Sequence, residues 1–205
     1  MRTTVLNFDP NGVPNSTLLP DGSGNAFWNS GAGPAADSNG NIYALTANGP
    51  FDPSHGDYGD TFLKLSTEGS LAVSDYFTPF DQASDAANDT DPGSGGAIVL
   101  PDMVDANGKT RHLTVGAGKD SNIYLVDRDN MGKFIPSGTS NTNVYQELNN
   151  ALPGGEWATA AYFDGFSLLR AGRRGPTPIQ VHPSPTGHSP SHNDVDSVWV
   201  SGCYA

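Results

Sequence analysis

Short apolar runs alternate with polar turns along most of the chain. The runs are rich in Ile, Val, Leu, Tyr and Phe, and they are bounded by Gly, Asn, Asp and Pro. Apolar runs of this length between turn residues are typical of buried β-strands rather than of helices. The pattern predicts an all-β protein with strands near residues 2–7, 41–46, 61–66, 70–77, 97–101, 111–117, 121–127 and 158–163.

An internal echo sharpens the predicted architecture. The segment Ser-Asn-Gly-Asn-Ile-Tyr-Ala-Leu at 38–45 is followed by Lys-Asp-Ser-Asn-Ile-Tyr-Leu-Val at 119–126, with an offset of 81 residues between Ile42 and Ile123. Four-stranded propeller blades repeat every 40–50 residues or so, and the offset is close to two such periods. Residues 1–164 are therefore predicted to form a partial β-propeller of four-stranded antiparallel blades, in preference to a β-sandwich.

The composition agrees with many turns and few helices. The chain has 25 Gly and 16 Pro, and only 16% of its residues are charged. Two polar segments, 80–96 and 136–142, are predicted to be long loops. The Gly-Ser-Gly-Gly run at 93–96 is interpreted as turn chemistry, and the alternative is a place where the backbone approaches another group closely.

The charge and the hydropathy exclude several partner classes. The net charge of −12 disfavours phosphate backbones and anionic lipid, so no nucleic-acid partner is expected. No apolar run approaches the roughly 20 residues that span a bilayer, so no membrane insertion is expected either. A single cysteine, Cys203, excludes an internal disulfide. Since no signal peptide follows Met1, the chain is expected either to be cytoplasmic or to lack its true N-terminus.

The segment 165–205 departs from this pattern. It is rich in Pro, Arg and His and carries 3 basic and 2 acidic residues, against 7 and 20 in the segment 1–164. It is predicted to be a disordered tail. The alternative that we favour is a frameshift between Asp164 and Ser167, because a one-base shift of 167–174 can read Leu-Tyr-Tyr-Gly-Pro-Val-Gly-Gly. Three histidines of the tail are not expected to bind metal, for lack of rigid placement: His182, His188 and His192.

Several motifs resemble one known family. The segments 30–43 and 116–133 resemble repeats of the pyrroloquinoline-quinone (PQQ) type β-propeller. Between them, Leu-Thr-Ala-Asn-Gly at 45–49, Gly-Asp-Thr-Phe-Leu at 59–63 and Asp-Tyr-Phe-Thr-Pro-Phe-Asp at 75–81 are similar in order to motifs of the quinoprotein alcohol dehydrogenases. The resemblance covers about residues 28–164, and it implies a periplasmic or extracellular location for the parent protein.

The resemblance also implies site residues. It places Asn48 at the position of a calcium ligand beside PQQ, and Asp60 at the position of the catalytic base. Calcium prefers amide and carboxylate oxygens, and a carboxylate near the quinone would remove the alcohol proton while the cofactor takes the hydride. The chain departs from the family at several points: Ala47 replaces a glycine, no Pro-Trp pair follows Gly49, no arginine precedes Asp60, and vicinal cysteines are absent.

These departures favour a structural or binding role for the PQQ-like segment. Its expected partners are a protein or a glycan, together with the missing blades of a parent propeller. The alternative is a fragment of a PQQ- and calcium-dependent quinoprotein alcohol dehydrogenase. The residues Asp85, Asn88, Asp89 and Asp91 are interpreted as a solvated acidic loop rather than a second calcium site, because the spacing differs from an EF-hand. Trp28 and Trp157 are expected to pack between blades.

Overall fold

The computed structural model describes residues 5–8, 14–18, 26–104, 108–163, 166–170, 176–181 and 198–200. Almost all of its regular structure is β. The strands are β1 (Val5–Phe8), β2 (Pro14–Leu18), β3 (Ala35–Ala36), β4 (Ile42–Leu45), β5 (Phe51–Asp52), β6 (Asp57–Tyr58), β7 (Phe62–Ser66), β8 (Ala72–Phe77), β9 (Ala97–Val99), β10 (Met103–Val104), β11 (Thr110–Arg111), β12 (Leu113–Ala117), β13 (Ile123–Asp127), β14 (Gln146–Leu148), β15 (Ala161–Phe163), β16 (Phe166–Arg170), β17 (Pro176–Val181) and β18 (Val198–Val200). One helix, α1, spans Gln82–Asn88, and a 3-10 turn spans Pro92–Ser94.

Twelve of the strands form three four-stranded sheets, in chain order. Sheet I has the order β3-β4-β7-β8, sheet II has β9-β12-β13-β14, and sheet III has β15-β16-β17-β18. All neighbouring strands in these sheets are antiparallel. The hairpin β5-β6 is inserted into sheet I and β10-β11 into sheet II, and β1 pairs with β2. Each predicted strand overlaps an observed one, so the all-β prediction is confirmed.

Sheet II is buried on both faces, which explains its nearly continuous apolar strands. One face of β12 and β13 packs with Ala160 and Leu169 in a cluster that reaches sheet III. The other face places Tyr124 and Val126 against residues of sheet I, including Phe77, whose ring centroid lies 5.4 Å from that of Tyr124. The sheets therefore stack in the order in which the chain forms them.

The spacing of the sheets differs from the predicted repeat. Strands β3, β9 and β15 begin at 35, 97 and 161, so successive sheets begin 62 and 64 residues apart. The inserted hairpins, α1 and the long loop before β14 lengthen the period. The echoed segments also occupy different positions, since Tyr43 lies in the second strand of sheet I and Tyr124 in the third strand of sheet II. The interpretation of 81 residues as two blade periods is therefore wrong.

The segment 80–96 is not the long loop that its composition predicted. Helix α1 forms where three alanines favour helix, and it ends at Asp89, whose backbone has left-handed geometry (φ 57°) and whose N–H bonds to the carbonyl of Asp85.

No helix in the described part of the chain is long and apolar enough to cross a membrane.

Three strands of sheet III, β16, β17 and β18, lie within the segment assigned to a tail. Strand β16 pairs with β15, and Leu169 is buried in the cluster beside sheet II. The frameshift stays a prediction, because the coding DNA decides it. His182, His188 and His192 lie outside the described residues.

Candidate functional site

Asn48 and Asp60 flank the inserted hairpin at one end of sheet I. Asn48 follows β4 and Asp60 precedes β7, and the N–H of Asp60 donates to the carbonyl of Ala47 at 3.1 Å. The backbone segments at Gly49 and Gly59 approach closely at the base of the hairpin. A Cβ on Gly59 would lie 2.2 Å from the carbonyl oxygen of Gly49, so this approach requires glycine. The hairpin therefore brings the two residues that the resemblance singles out to the same end of the sheet.

Asp60 is fully enclosed. Its residue exposure is 0%, and Nε2 of Gln82 on α1 donates to its Oδ2 at 2.9 Å. Its Oδ1 is buried without a hydrogen-bond partner. Burial raises the pKa of Asp60 to about 7, with the Gln82 hydrogen bond opposing the shift and the charges of Asp91 and Asp85 adding to it. Asp60 is therefore partly protonated at neutral pH and closed off from solvent.

Asn48 contacts a carboxylate rather than an open cavity. Its Nδ2 donates to Oδ1 of Asp89 at 2.6 Å, and its own Oδ1 is buried without a partner. The Nζ of Lys119 lies 2.5 Å from the same oxygen of Asp89 and 2.7 Å from Oδ2 of Asp91. The ammonium also lies 5.4 Å from the ring centroid of Trp157. Lys119, in the turn after β12, thus contacts Asp89 at the end of α1, and Asp89 in turn contacts Asn48 in the turn after β4.

Buried carboxylates surround this point. We call Asp60, Asp81, Asp85, Asp91 and Asp120 the carboxylate cluster. Burial raises the pKa of Asp85 to about 7, helped by the charge of Asp81, and burial raises the pKa of Asp120 to about 8. Asp85 and Asp91 are 6% and 0% exposed. The prediction of a solvated acidic loop is therefore wrong for these two residues, although Asp89 has an exposed side chain.

The cluster does not fit a calcium ion as it stands, although its oxygen donors have the right chemistry. Within the described residues, no three His, Cys, Asp or Glu side chains converge to form a metal-binding group. The amide nitrogen of Asn48 is held on Asp89, and the ammonium of Lys119 lies between Asp89 and Asp91. These contacts occupy the donors that a calcium ion would need.

Comparisons with protein-family models, with curated proteins and with solved structures found no match. The family resemblance rests on the motifs alone.

The two tryptophans are not packed as the sequence suggested. Trp28 and Trp157 are 60% and 55% exposed, so the expectation that they lie buried between blades is wrong. Trp157 is held at the surface by its Nε1, which donates to the carbonyl of Gly154 at 3.2 Å, and by the ammonium of Lys119.

A second polar site, which the sequence did not reveal, lies at the other end of strand β4. It is a cleft of about 400 Å³, and its charged lining consists of Asp37, Lys64, Asp102, His112, Arg128 and Asp129. Arg128 is 7% exposed and its Nη1 lies 3.4 Å from Oδ2 of Asp37, so it ties sheet II to the first turn of sheet I. The Nδ1 of His112 lies 2.9 Å from Oδ2 of Asp129. The Asp-Arg-Asp run at 127–129 was its only signal in the sequence.

The tyrosine of each echoed segment donates a hydrogen bond to an aspartate of the preceding turn, although the two aspartates occupy different positions relative to the echo. The hydroxyl of Tyr43 donates to Oδ2 of Asp37 at 2.9 Å, and the hydroxyl of Tyr124 donates to Oδ2 of Asp120 at 2.5 Å. In both turns the residue two before the echoed Ile has left-handed backbone geometry, at Gly40 (φ 81°) and Ser121 (φ 68°). The echoed sequence therefore corresponds to a local turn that is hydrogen-bonded to the strand that follows it.

Replacing Tyr124 with phenylalanine is expected to lower the free energy of unfolding by about 1–2 kcal/mol. The change leaves the ring packed against Phe77 and removes the donor to the buried Asp120. Urea unfolding of Tyr124→Phe, Asp120→Ala and the double variant measures the coupling between the two groups, because alanine leaves no acceptor at position 120. Additive effects would show that the hydrogen bond contributes nothing beyond the separate side chains.

Proposed function

We propose that the chain is a segment of a PQQ-like β-propeller with a structural or binding role and no catalytic activity of its own. The propeller interpretation is supported by three successive four-stranded antiparallel sheets that stack in chain order. Each is a meander of neighbouring strands, which is the arrangement of strands in a propeller blade. A periplasmic or extracellular location of the parent protein forms part of the same proposal.

The enclosure of Asp60 is the observation that carries the non-catalytic part of the proposal. A general base must come within hydrogen-bond reach of the proton that it removes. Asp60 has no exposed surface, and Gln82 occupies its Oδ2. A substrate alcohol therefore has no route to this carboxylate without displacement of α1.

The cleft beside Arg128 supports a binding role. Its volume of about 400 Å³ lies within the roughly 300–1,000 Å³ of typical ligand sites. Carboxylates and basic groups from sheets I and II line it together, and such donors and acceptors suit the hydroxyl groups of a glycan or the backbone of a peptide. A protein or glycan partner is therefore the expected ligand class.

One observation favours the alternative, a fragment of a PQQ- and calcium-dependent quinoprotein alcohol dehydrogenase. The pKa of Asp60, raised to about 7, would suit a general base near neutral pH. The full chain, incubated with PQQ and calcium, is expected to show no dye-linked oxidation of primary alcohols. Oxidation by the wild-type chain that is absent in Asp60→Asn would establish the dehydrogenase and overturn the non-catalytic proposal.

A further inference from the structure

The position of Lys119 is fixed by its backbone. Its N–H donates to the carbonyl of Asp91 at 2.9 Å, directly beside the carboxylate that its side chain meets. Gly155 allows the next turn to press against it, since a Cβ there would lie 2.9 Å from the Cα of Lys119. The side chain of Lys119 is only 16% exposed. These backbone contacts therefore fix the position of the Lys119 ammonium beside Asp91.

The ammonium has the contacts of a coordinated cation. It lies within 2.7 Å of oxygens from two carboxylates, Asp89 and Asp91, and the second of these is completely buried. The 2.5 Å contact with Asp89 lies within the 2.3–2.6 Å or so of calcium–oxygen bonds, and the 2.7 Å contact with Asp91 lies just above it. Burial alone would lower the pKa of Lys119, but the hydrogen bonds to Asp89 and Asp91 outweigh it and the pKa is raised, so the group stays charged.

A further oxygen completes the surroundings. Oδ1 of Asn48 is buried and has no hydrogen-bond partner, while the nitrogen of the same amide is bound to Asp89. Oδ1 of Asp91 is also buried without a hydrogen bond. Buried oxygens that lack a donor beside two carboxylates are groups that a divalent ion could satisfy.

We propose that Lys119 takes the place of a divalent cation among Asn48, Asp89 and Asp91, so that this pocket is stable without metal and becomes a divalent-cation site only when the ammonium is removed. The carboxylates of Asp89 and Asp91 converge on Nζ of Lys119, which therefore occupies the position that a metal ion would need. The proposal concerns the charge balance of this pocket and holds whether the parent protein is a dehydrogenase or a binding protein.

Thermal unfolding of the full chain with millimolar calcium and with EDTA tests the proposal. The wild-type melting temperature is expected to be the same in both. Lys119→Met keeps the aliphatic stem beside Trp157 and removes the charge, and it is expected to lower the melting temperature by about 10 °C in EDTA. Calcium is expected to restore several degrees of that loss, and titration calorimetry is expected to detect binding to Lys119→Met and none to the wild type.

Lys133→Met is the matched control. Lys133 also lies 2.5 Å from one carboxylate, that of Asp75, and over an aromatic ring, that of Tyr76, but it forms no ion pair with a second acid among the described residues. Calcium is expected to leave this variant unchanged. The proposal is overturned if calcium raises or EDTA lowers the melting temperature of the wild type, or if calcium fails to restore Lys119→Met, whether that variant folds alone or not.

Discussion

Alanine at position 118 is expected to lower the free energy of unfolding by about 3 kcal/mol or more, one of the largest effects of any single methyl group in this chain. A Cβ on Gly118 would lie 2.3 Å from backbone atoms of Pro92. Neither side can yield, because the carbonyl of Gly118 accepts the N–H of Glu156 at 2.8 Å while the neighbouring Lys119 N–H is bound to Asp91. Urea unfolding followed by circular dichroism measures the loss.

The control for this substitution is Gly33→Ala. Gly33 has no atom within 4 Å of its would-be Cβ and no left-handed backbone geometry, so the change is expected to stay within about 0.5 kcal/mol. Gly93→Ala should behave like Gly118→Ala, since its Cβ would lie 2.3 Å from the backbone of Thr46. Equal stability of the position 33 and position 118 variants would refute the close packing of these turns.

These close approaches position the candidate site. Gly93 rests on the end of β4, Gly118 rests on Pro92, and Gly155 rests on Lys119, so the turns of the three sheets form one continuous stack. The stack sets Asp91 and Lys119 side by side and brings both near Asn48. The Gly-Ser-Gly-Gly run at 93–96 therefore allows a close approach of the backbone to other groups, which was the alternative interpretation of this run.

The strands were predictable because their signal is local. Leu45, Phe62, Tyr124 and Val126 alternate or run continuously within a few residues, and each is buried where the pattern places it. Burial of both faces also explains why the central strands β12 and β13 of sheet II are apolar almost throughout. Local apolar pattern and turn residues were sufficient for this level of the fold.

The surroundings of the candidate site residues could not be predicted in the same way, because they depend on contacts between residues that are far apart in the sequence. Asp85 sits in a segment with the composition of a loop, yet α1 buries its carboxylate. Arg128 meets Asp37 from 91 positions away, and Lys119 meets Asp89 from 30. The echo between 38–45 and 119–126 misled for the same reason, since similar turns occupy different strands of their sheets.

The stability of the chain is expected to fall by several kcal/mol as the pH rises from 5 to 8. Burial raises the pKa values of Asp60 and Asp85 to about 7 and that of Asp120 to about 8, whereas an aspartate in the unfolded chain titrates near 4. Between these limits the folded state binds more protons than the unfolded state, so raising the pH favours unfolding. Four described carboxylates have a lowered pKa and act below this window: Asp37, Asp52, Asp75 and Asp89.

The variant Asp120→Asn tests how much the carboxylate cluster contributes to this pH dependence, compared with other titrating groups. The amide oxygen can still accept the hydroxyl proton of Tyr124, but the buried negative charge no longer forms, so the variant should exceed the wild type in stability at pH 8 and show a shallower decline. Glu68→Gln changes an exposed carboxylate and should leave the decline intact. The hydrogen bond to Asp52 raises the pKa of His55, which contributes a decline of the same sign that Asp120→Asn leaves in place. Urea unfolding at each pH measures these curves, and a wild-type stability that is flat or rises from pH 5 to 8 would show that the cluster is not titrating as a buried group.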